Sequence, residues 1–537
     1  VTTREEALAR LTAPGARFEI RTEDVLGEPM SVFANRQRAL TEFLLTSKEF
    51  GDRPYLVTEG RTITYAEHYD AVAALAAALR AEFGVGKGDR VAICSANNPE
   101  WIIAFWAIVS LGAIAVGMNS RWAGPEIEHG IALTEPTLLI ADAPRRVLAG
   151  EPGIPVLSVE RDLSALIERH RGARLSDVEV HEDDPAVILF TSGTTGRPKG
   201  ATHSHRNVIA ACWFYLLNDA IAAELGNPPS DRRFLLVTPL FHIAALHNLA
   251  VIRLLVGETA VIHLGRFDID RILRLIEAKR VTNWGAVPTM LARLVDHDLS
   301  GYDLSSLRTI TVNSAPSSPA LRDQLRRALP EAGRSLGTSY GLTESSTAAT
   351  LATAQELLDD PQTVGTPVPT MQVEVRDPDG NRVPDGTEGE ICLRGPLMML
   401  GYWRAPEATA ASTAPHRWFR TGDLGTMVDG HLRISARRSD LILRGGENVY
   451  PAEVENRLAT HPAVRECIVL GAPHADLGEE VAAVVVVAPG ARVTEDELRD
   501  HVRAGIADYK VPSRWRITTR ELPRNATGKV NRKQVEL

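Results

Sequence analysis

The chain has 537 residues, 44% hydrophobic and 24% charged, enough for roughly two to four structural units around at least one large core and too balanced for a disordered or fibrous protein. Its 59 basic and 68 acidic residues leave a net charge of -9, which argues against a general polyanion binder and removes nucleic acid from the expected partners. The four cysteines, Cys94, Cys212, Cys392 and Cys467, are too dispersed for a zinc cluster or disulfide framework and point to a reducing, cytoplasmic setting.

The polar start Thr2-Thr3-Arg4-Glu5-Glu6 does not read as a secretory signal. Thereafter short apolar runs alternate with helical patterns, as when parallel strands are joined by crossover helices. Strands are expected at Arg90 to Cys94, Thr137 to Ala141, Ala186 to Phe190 and Phe234 to Val237, and helices at Tyr65 to Phe83 and Ile269 to Lys279. The uncharged stretch Trp101 to Met118 approaches a membrane span in length. Gly112 and Gly117 divide it into a buried helix near Trp101 to Ser110 and a strand near Ala113 to Val116, so no transmembrane segment is expected. From about Gln372 the pattern turns to antiparallel strands, at Gln372 to Arg376, Glu388 to Arg394 and His431 to Ile434. A last α+β unit follows, with helices Pro451 to Thr460 and Thr494 to Ile506 and strands Cys467 to Leu470 and Val481 to Val487; Thr494 and Glu497 form a capping box. The fold class is α/β: a large domain of covered, mostly parallel sheets with an antiparallel β subdomain, residues 1–438, then a small mobile α+β domain, residues 439–537.

The sharpest local signal follows the apolar run Val187 to Phe190. In Thr191-Ser192-Gly193-Thr194-Thr195-Gly196-Arg197-Pro198-Lys199-Gly200 the glycines let backbone N–H groups converge on phosphate oxygens, hydroxyls add donors and Lys199 adds charge. The spacing is not that of Walker A. With Tyr340-Gly341-Leu342-Thr343-Glu344, Thr421-Gly422-Asp423, the run Arg437 to Glu455 and Pro523 to Lys529, in that order, the chain resembles the adenylate-forming superfamily of acyl-CoA synthetases, carrier-protein adenylation domains and luciferases. The resemblance extends from about Thr62 to Lys529.

That resemblance implies ATP, Mg2+ and coenzyme A as cofactors and co-substrates, and roles for particular residues. Tyr340 resembles the adenine-stacking aromatic, Gly341 and Thr343 its nucleotide-contacting neighbours, Glu344 the magnesium ligand, Asp423 the acceptor of both ribose hydroxyls and Arg437 a further nucleotide contact. Ala315 and Pro316 lie beside the adenine. Asn313-Ser314 stands where relatives commonly have two glycines, which narrows the acyl pocket or adds hydrogen bonds there. Lys529 matches the adenylation lysine, Gly445 and Gly446 the lining of the pantetheine tunnel, and Ser439 the hinge, where relatives commonly carry Asp or Lys. Phe241, His242, Ala245 and Leu246, with Gly337 and Thr338, match the acyl pocket. Its apolar character favours a hydrophobic carboxylic acid, fatty or aryl, and a peripheral association with membranes fits such a substrate. His242 is either a gate to that pocket or a packed core histidine.

The reaction implied joins the acid to AMP and then to the thiol of CoA, with a separate acyl carrier protein as the alternative acceptor. Two readings of other classes compete. A non-catalytic acyl-nucleotide sensor is hard to square with Lys199, Glu344, Asp423 and Lys529 all present. Gly337-Thr338-Ser339-Tyr340-Gly341 also spells G-x-S-x-G, the elbow of an α/β-hydrolase with Ser339 as nucleophile, but Ala332, Gly333, Arg334 and Ser335 before it make a poor strand.

Overall fold

The computed structural model describes residues 2–191, 198–312, 319–437, 440–444, 447–474, 477–488, 490–525 and 528–537, with the main chain alone for Asn448. The sequence alternation resolves into two large mixed sheets. In the first, Arg90–Cys94 pairs in parallel with Ile114–Gly117 and Leu138–Ala141, and Ile114–Gly117 with Pro185–Thr191. At its far edge Lys199–Ser204 and Gly401–Tyr402 are added antiparallel. In the second, Pro54–Val57, Thr259–Ile262, Arg233–Leu236, Asn283–Ala286, Thr309–Val312 and Gly337–Gly341 run parallel, and Ala348–Ala352 returns antiparallel.

Helices form where caps and apolar spacing agree. Tyr65–Phe83 starts at Thr64 with a capping box to Glu67 and stops at Gly84, whose φ of 68° is left-handed. Its Val72, Leu75, Ala76 and Leu79 are buried in the same cluster as Ile102, Phe105, Trp106 and Val109 of Pro99–Ser110. Burial of each large apolar side chain contributes about 1.5–3 kcal/mol, which explains the uncharged segment: it is core helix followed by the strand Ile114–Gly117. Among the described residues no helix is long and apolar enough to cross a membrane.

Gln372–Arg376, Gly389–Arg394, Trp418–Val428 and His431–Arg437 make the antiparallel sheet. The terminal unit packs Pro451–Ala459 and Glu495–Arg503 on a sheet whose long hairpin is Val464–His474 with Gly478–Val487. Strand Arg514–Thr518 joins it in parallel. Among the limits that differ from the sequence reading, the helix after Thr494 ends at Arg503, leaving Ile506 beyond it, Cys467 to Leu470 is the middle of an eleven-residue strand, and the strands expected from Val481 and up to Ile434 begin at Gly478 and run to Arg437. Ile506 still packs on the terminal core, so apolar spacing outlasted helical backbone. The terminal unit touches the rest through Arg293 to Glu521 (3.0 Å), Arg465 to Asp296 (3.2 Å) and a hydrogen bond from the Tyr450 phenol to Glu388.

Candidate functional site

The strand Gly337–Gly341 leads into a single 3-10 turn, Thr343–Ser345. The reversal is close: a Cβ on Gly341 would lie 2.4 Å from the Thr347 carbonyl oxygen, so a side chain is excluded. The turn presents Glu344, only 9% exposed, with its Oε1 accepting a hydrogen bond of 2.7 Å from the Tyr402 hydroxyl. Burial raises the Glu344 pKa and the Tyr402 bond pulls it back. The Lys199 ammonium lies 4.9 Å from the centroid of the same tyrosine ring. Sheet register explains the meeting. Lys199 opens an antiparallel strand opposite Thr191, and Tyr402 sits on the next strand, paired with Ala201. Thr191 and Lys199 therefore face each other across two antiparallel strands, which separates this loop from a Walker loop that enters a helix.

Asp423 forms a second focus. Its strand pairs it with Arg437, whose Nε donates to Asp423 Oδ1 at 2.9 Å, while the Tyr340 hydroxyl donates to Oδ2 at 2.7 Å. A carboxylate has about four acceptor positions, so among the described residues each oxygen keeps a lone pair for a further O–H donor. Burial and the adjacent Asp423 raise the Tyr340 pKa well above the usual phenol value, keeping it a donor. The Arg437 pKa is raised as well: burial opposes the charge, and Asp423 outweighs it.

Lys529 reaches this region from the terminal unit. Its loop is tied down by Asn525, whose Oδ1 accepts from the Lys529 N–H at 3.0 Å and whose N–H donates to the Lys529 carbonyl at 2.8 Å. Gly528, with φ of 84°, brings the loop against Val287 and Thr289. Lys529 stays reachable by solvent while protein surrounds it. That crowding lowers its pKa, as does Arg437, whereas Asp423 and Glu344 act in the opposite direction. The ammonium thus lies in the combined field of both foci.

Phe241 and His242 stand near the same cation. Their rings lie 4.5 Å apart, and His242 Nε2 is enclosed with no hydrogen-bond partner among the described residues. Burial, then Lys529 and Arg121, depress its pKa to about 3, so it is neutral. Ala245 and Leu246 are fully buried in the large core. Thr338 is nearly buried, its hydroxyl 3.4 Å from the Val312 carbonyl, and Gly337 passes close to the Ala352 carbonyl. The residues named from the sequence as Ser192, Gly193, Thr194, Thr195, Gly196, Asn313, Ala315, Pro316, Ser439, Gly445 and Gly446 lie outside the described residues. Ser339 lies inside the strand Gly337–Gly341, hydrogen-bonded on both sides, and not at a strand-to-helix elbow, which removes the hydrolase context.

Tyr402 was not singled out from the sequence. Nothing local signals it: it lies on a two-residue strand 58 positions from Glu344. Arg121 was missed likewise; its Nη1 lies 3.5 Å from the Asn525 carbonyl in the loop carrying Lys529.

Comparison with known proteins places the chain in a family. The family model described as AMP-binding enzyme matches residues 44–403, and that of the AMP-binding enzyme C-terminal domain matches residues 453–529. A feruloyl-CoA synthase of an Amycolatopsis species is 37% identical over 480 residues, 89% of this chain and 94% of the relative. A long-chain-fatty-acid–CoA ligase of Mycobacterium tuberculosis is 34% identical, covering 87% and 91%. Among solved structures, the o-succinylbenzoate CoA synthetase of Bacillus subtilis in complex with its acyl-adenylate intermediate superposes with a TM-score of 0.80 at 31% identity, covering 93% of this chain and 98% of that one.

Proposed function

The chain belongs to the AMP-binding enzyme family, and on that premise we propose that it is an ATP-dependent acid–thiol ligase that converts a hydrophobic carboxylic acid, through its acyl-AMP, to an acyl-CoA thioester. The observation that carries the reading is the pair of buried carboxylates in the large unit, Glu344 held by Tyr402 and Asp423 held by Tyr340 and Arg437, with Lys529 of the terminal unit near enough to feel both charges. Two anions must meet in the first half-reaction, so charge neutralisation and positioning are the main demands. An oxygen of the substrate carboxylate attacks the α-phosphorus of ATP. The bond to the β-phosphate bridging oxygen breaks and pyrophosphate leaves. Lys529 stabilises charge between carboxylate and phosphate, Lys199 and the residue 191–200 loop receive the β- and γ-phosphates, and Asp423 accepts from the ribose hydroxyls beside the Tyr340 ring.

Glu344 suits Mg2+: it is a hard oxygen donor whose burial favours a nearby cation. Among the described residues no group of three or more His, Cys, Asp or Glu gathers to cage a metal, which suits an ion that keeps most of its ligands from phosphate and water. Magnesium bound there supplies positive charge to the phosphates. In the second half-reaction a thiol attacks the acyl carbonyl and AMP leaves. For this step we take residues 439–537 as a domain that turns about Ser439, withdraws Lys529 and presents Gly445 and Gly446 to the thiol.

Phe241, Ala245 and Leu246 favour an apolar acid. The relatives named for feruloyl, indoleacetate and long-chain fatty acids support hydrophobic acids of differing shape, and their CoA products favour CoA over a carrier protein. The test is a panel of fatty and aryl acids scored by pyrophosphate release, with CoA, with a carrier protein and with neither. Release that needs no carboxylic acid, or thioester formed only on the carrier, would overturn the proposal.

A further inference from the structure

Behind the turn that presents Glu344, two histidines outside the proposed chemistry converge on one residue. His203, on the strand Lys199–Ser204, and His247, in the π-helical turn Leu246–Val251, are both fully buried, their rings edge to face with centroids 5.2 Å apart. His203 Nδ1 lies 2.8 Å from the Ser346 hydroxyl, and His247 Nδ1 lies 2.9 Å from the Ser346 carbonyl. A carbonyl only accepts, so His247 carries its proton on Nδ1. Ser346 itself has φ of 61°, a left-handed conformation that strains a residue with a side chain and persists only where its surroundings impose it.

The strain sits directly behind Glu344. Ser345 closes the turn through hydrogen bonds to the Leu342 N–H at 3.0 Å and the Thr347 carbonyl at 2.7 Å, and the Glu344 carbonyl accepts from the Met399 N–H at 2.8 Å. These bonds set the turn's shape, while the two imidazoles hold the exit from it. Both imidazole Nε2 atoms are enclosed with no hydrogen-bond partner among the described residues, so each ring's polar contact with Ser346 is made through Nδ1. A buried imidazole with an unsatisfied nitrogen is costly where apolar packing would suffice. Two such rings side by side are better accounted for by the Nδ1 contacts they make with Ser346 than by the space they fill.

We propose that His203 and His247 are positioning residues: by holding Ser346 in the left-handed conformation they aim the Glu344 carboxylate at the phosphate-bound cation. The proposal rests on the reading of Glu344 as the metal ligand. It separates from simple core packing because the hydrogen bond and the ring volume can be removed independently. In His247→Asn the amide N–H stands where Nδ1–H was and the ring is lost, whereas His247→Leu keeps the bulk and loses the donor.

The measurement is the calorimetric affinity for α,β-methylene-ATP, which cannot be cleaved between those phosphates, taken once with Mg2+ and once with EDTA; the ratio is the metal's contribution. For His247→Leu that ratio should fall about tenfold, the equivalent of one buried hydrogen bond, with the EDTA affinity unchanged and the thermal midpoint recorded alongside. His247→Asn should retain most of the ratio, and Ser346→Gly in the Leu background should restore part of it, since glycine adopts this φ without strain. If Asn lowers the ratio as much as Leu or more, the histidine only fills space and the proposal is wrong. Glu344→Gln separates the two levels. An unchanged ratio there overturns the metal reading and this inference with it; a collapsed ratio beside an unaffected His247→Leu overturns the inference alone.

Discussion

Replacing Tyr402 by Phe removes one oxygen atom and leaves the ring over which Lys199 lies. The lost hydroxyl donates at 2.7 Å to a carboxylate that is 9% exposed. Hydrogen bonds to charged groups contribute about 1.5–3 kcal/mol, and the lower end applies because Tyr402 is half-buried. A loss of about 1.5 kcal/mol is about one pKa unit or a tenfold change in affinity. The sign follows from the state the bond favours. The phenol stabilises the ionised carboxylate and partly offsets the burial that raises the Glu344 pKa, so its removal moves that pKa further up. Adenylation that needs ionised Glu344 should then fail at a higher pH, the acid limb of pyrophosphate exchange rising by about one unit. The magnesium concentration for half-maximal exchange should rise about tenfold. Freeing Oε1 of its donor works the other way, but a carboxylate oxygen has two lone pairs, so the competition relieved is the smaller effect. An acid limb and magnesium requirement both equal to wild type would refute the argument that Tyr402 maintains Glu344 as a charged ligand.

Lys529→Ala should abolish ATP–pyrophosphate exchange while thioester formation from supplied acyl-AMP largely survives; exchange at the wild-type rate would discard the assigned role. Tyr340→Phe keeps the flat ring but removes a donor from Asp423, so AMP affinity by calorimetry should fall about five- to tenfold, about 1 kcal/mol, and Tyr340→Ala should fall further. Acid should destabilise the fold through histidines buried in neutral form. The pKa values of His68 and His242 are depressed to about 3 and those of His205 and His247 to about 4, burial being the main cause. Against an unfolded value of about 6.5, stability is complete above that pH and is lost as pH falls toward the folded values, about 2 kcal/mol per histidine by about pH 5. Neither ring nitrogen of His68 has a hydrogen-bond partner among the described residues, so His68→Leu should cost little at neutral pH and reduce the acid loss by about that amount. Denaturant midpoints measured across pH would show it, and an unchanged pH slope would reject the assignment.

Much of the fold was legible because its signals are local. The Thr64–Glu67 box and Gly84 delimit Tyr65–Phe83 at the predicted ends, and Ile269–Lys279 follows from its spacing of Ile272, Leu273, Leu275 and Ile276. The motif order placed Lys199, Glu344, Asp423 and Lys529 as candidates, and residue chemistry alone suited them to phosphate, metal, ribose and developing charge. What the chain order did not contain was which side chains complete one another. Tyr402 reaches Glu344 because a two-residue strand pairs with Lys199–Ser204, and His203 and His247 share Ser346 although 143 and 99 positions separate them from it. Hydrogen bonds and fields act over a few ångströms of space whatever the separation along the backbone, so periodicity carries no trace of them. The sequence by itself determined the elements and the kinds of group available; tertiary structure decided which groups are buried together, and burial sets their charge, orientation and strength.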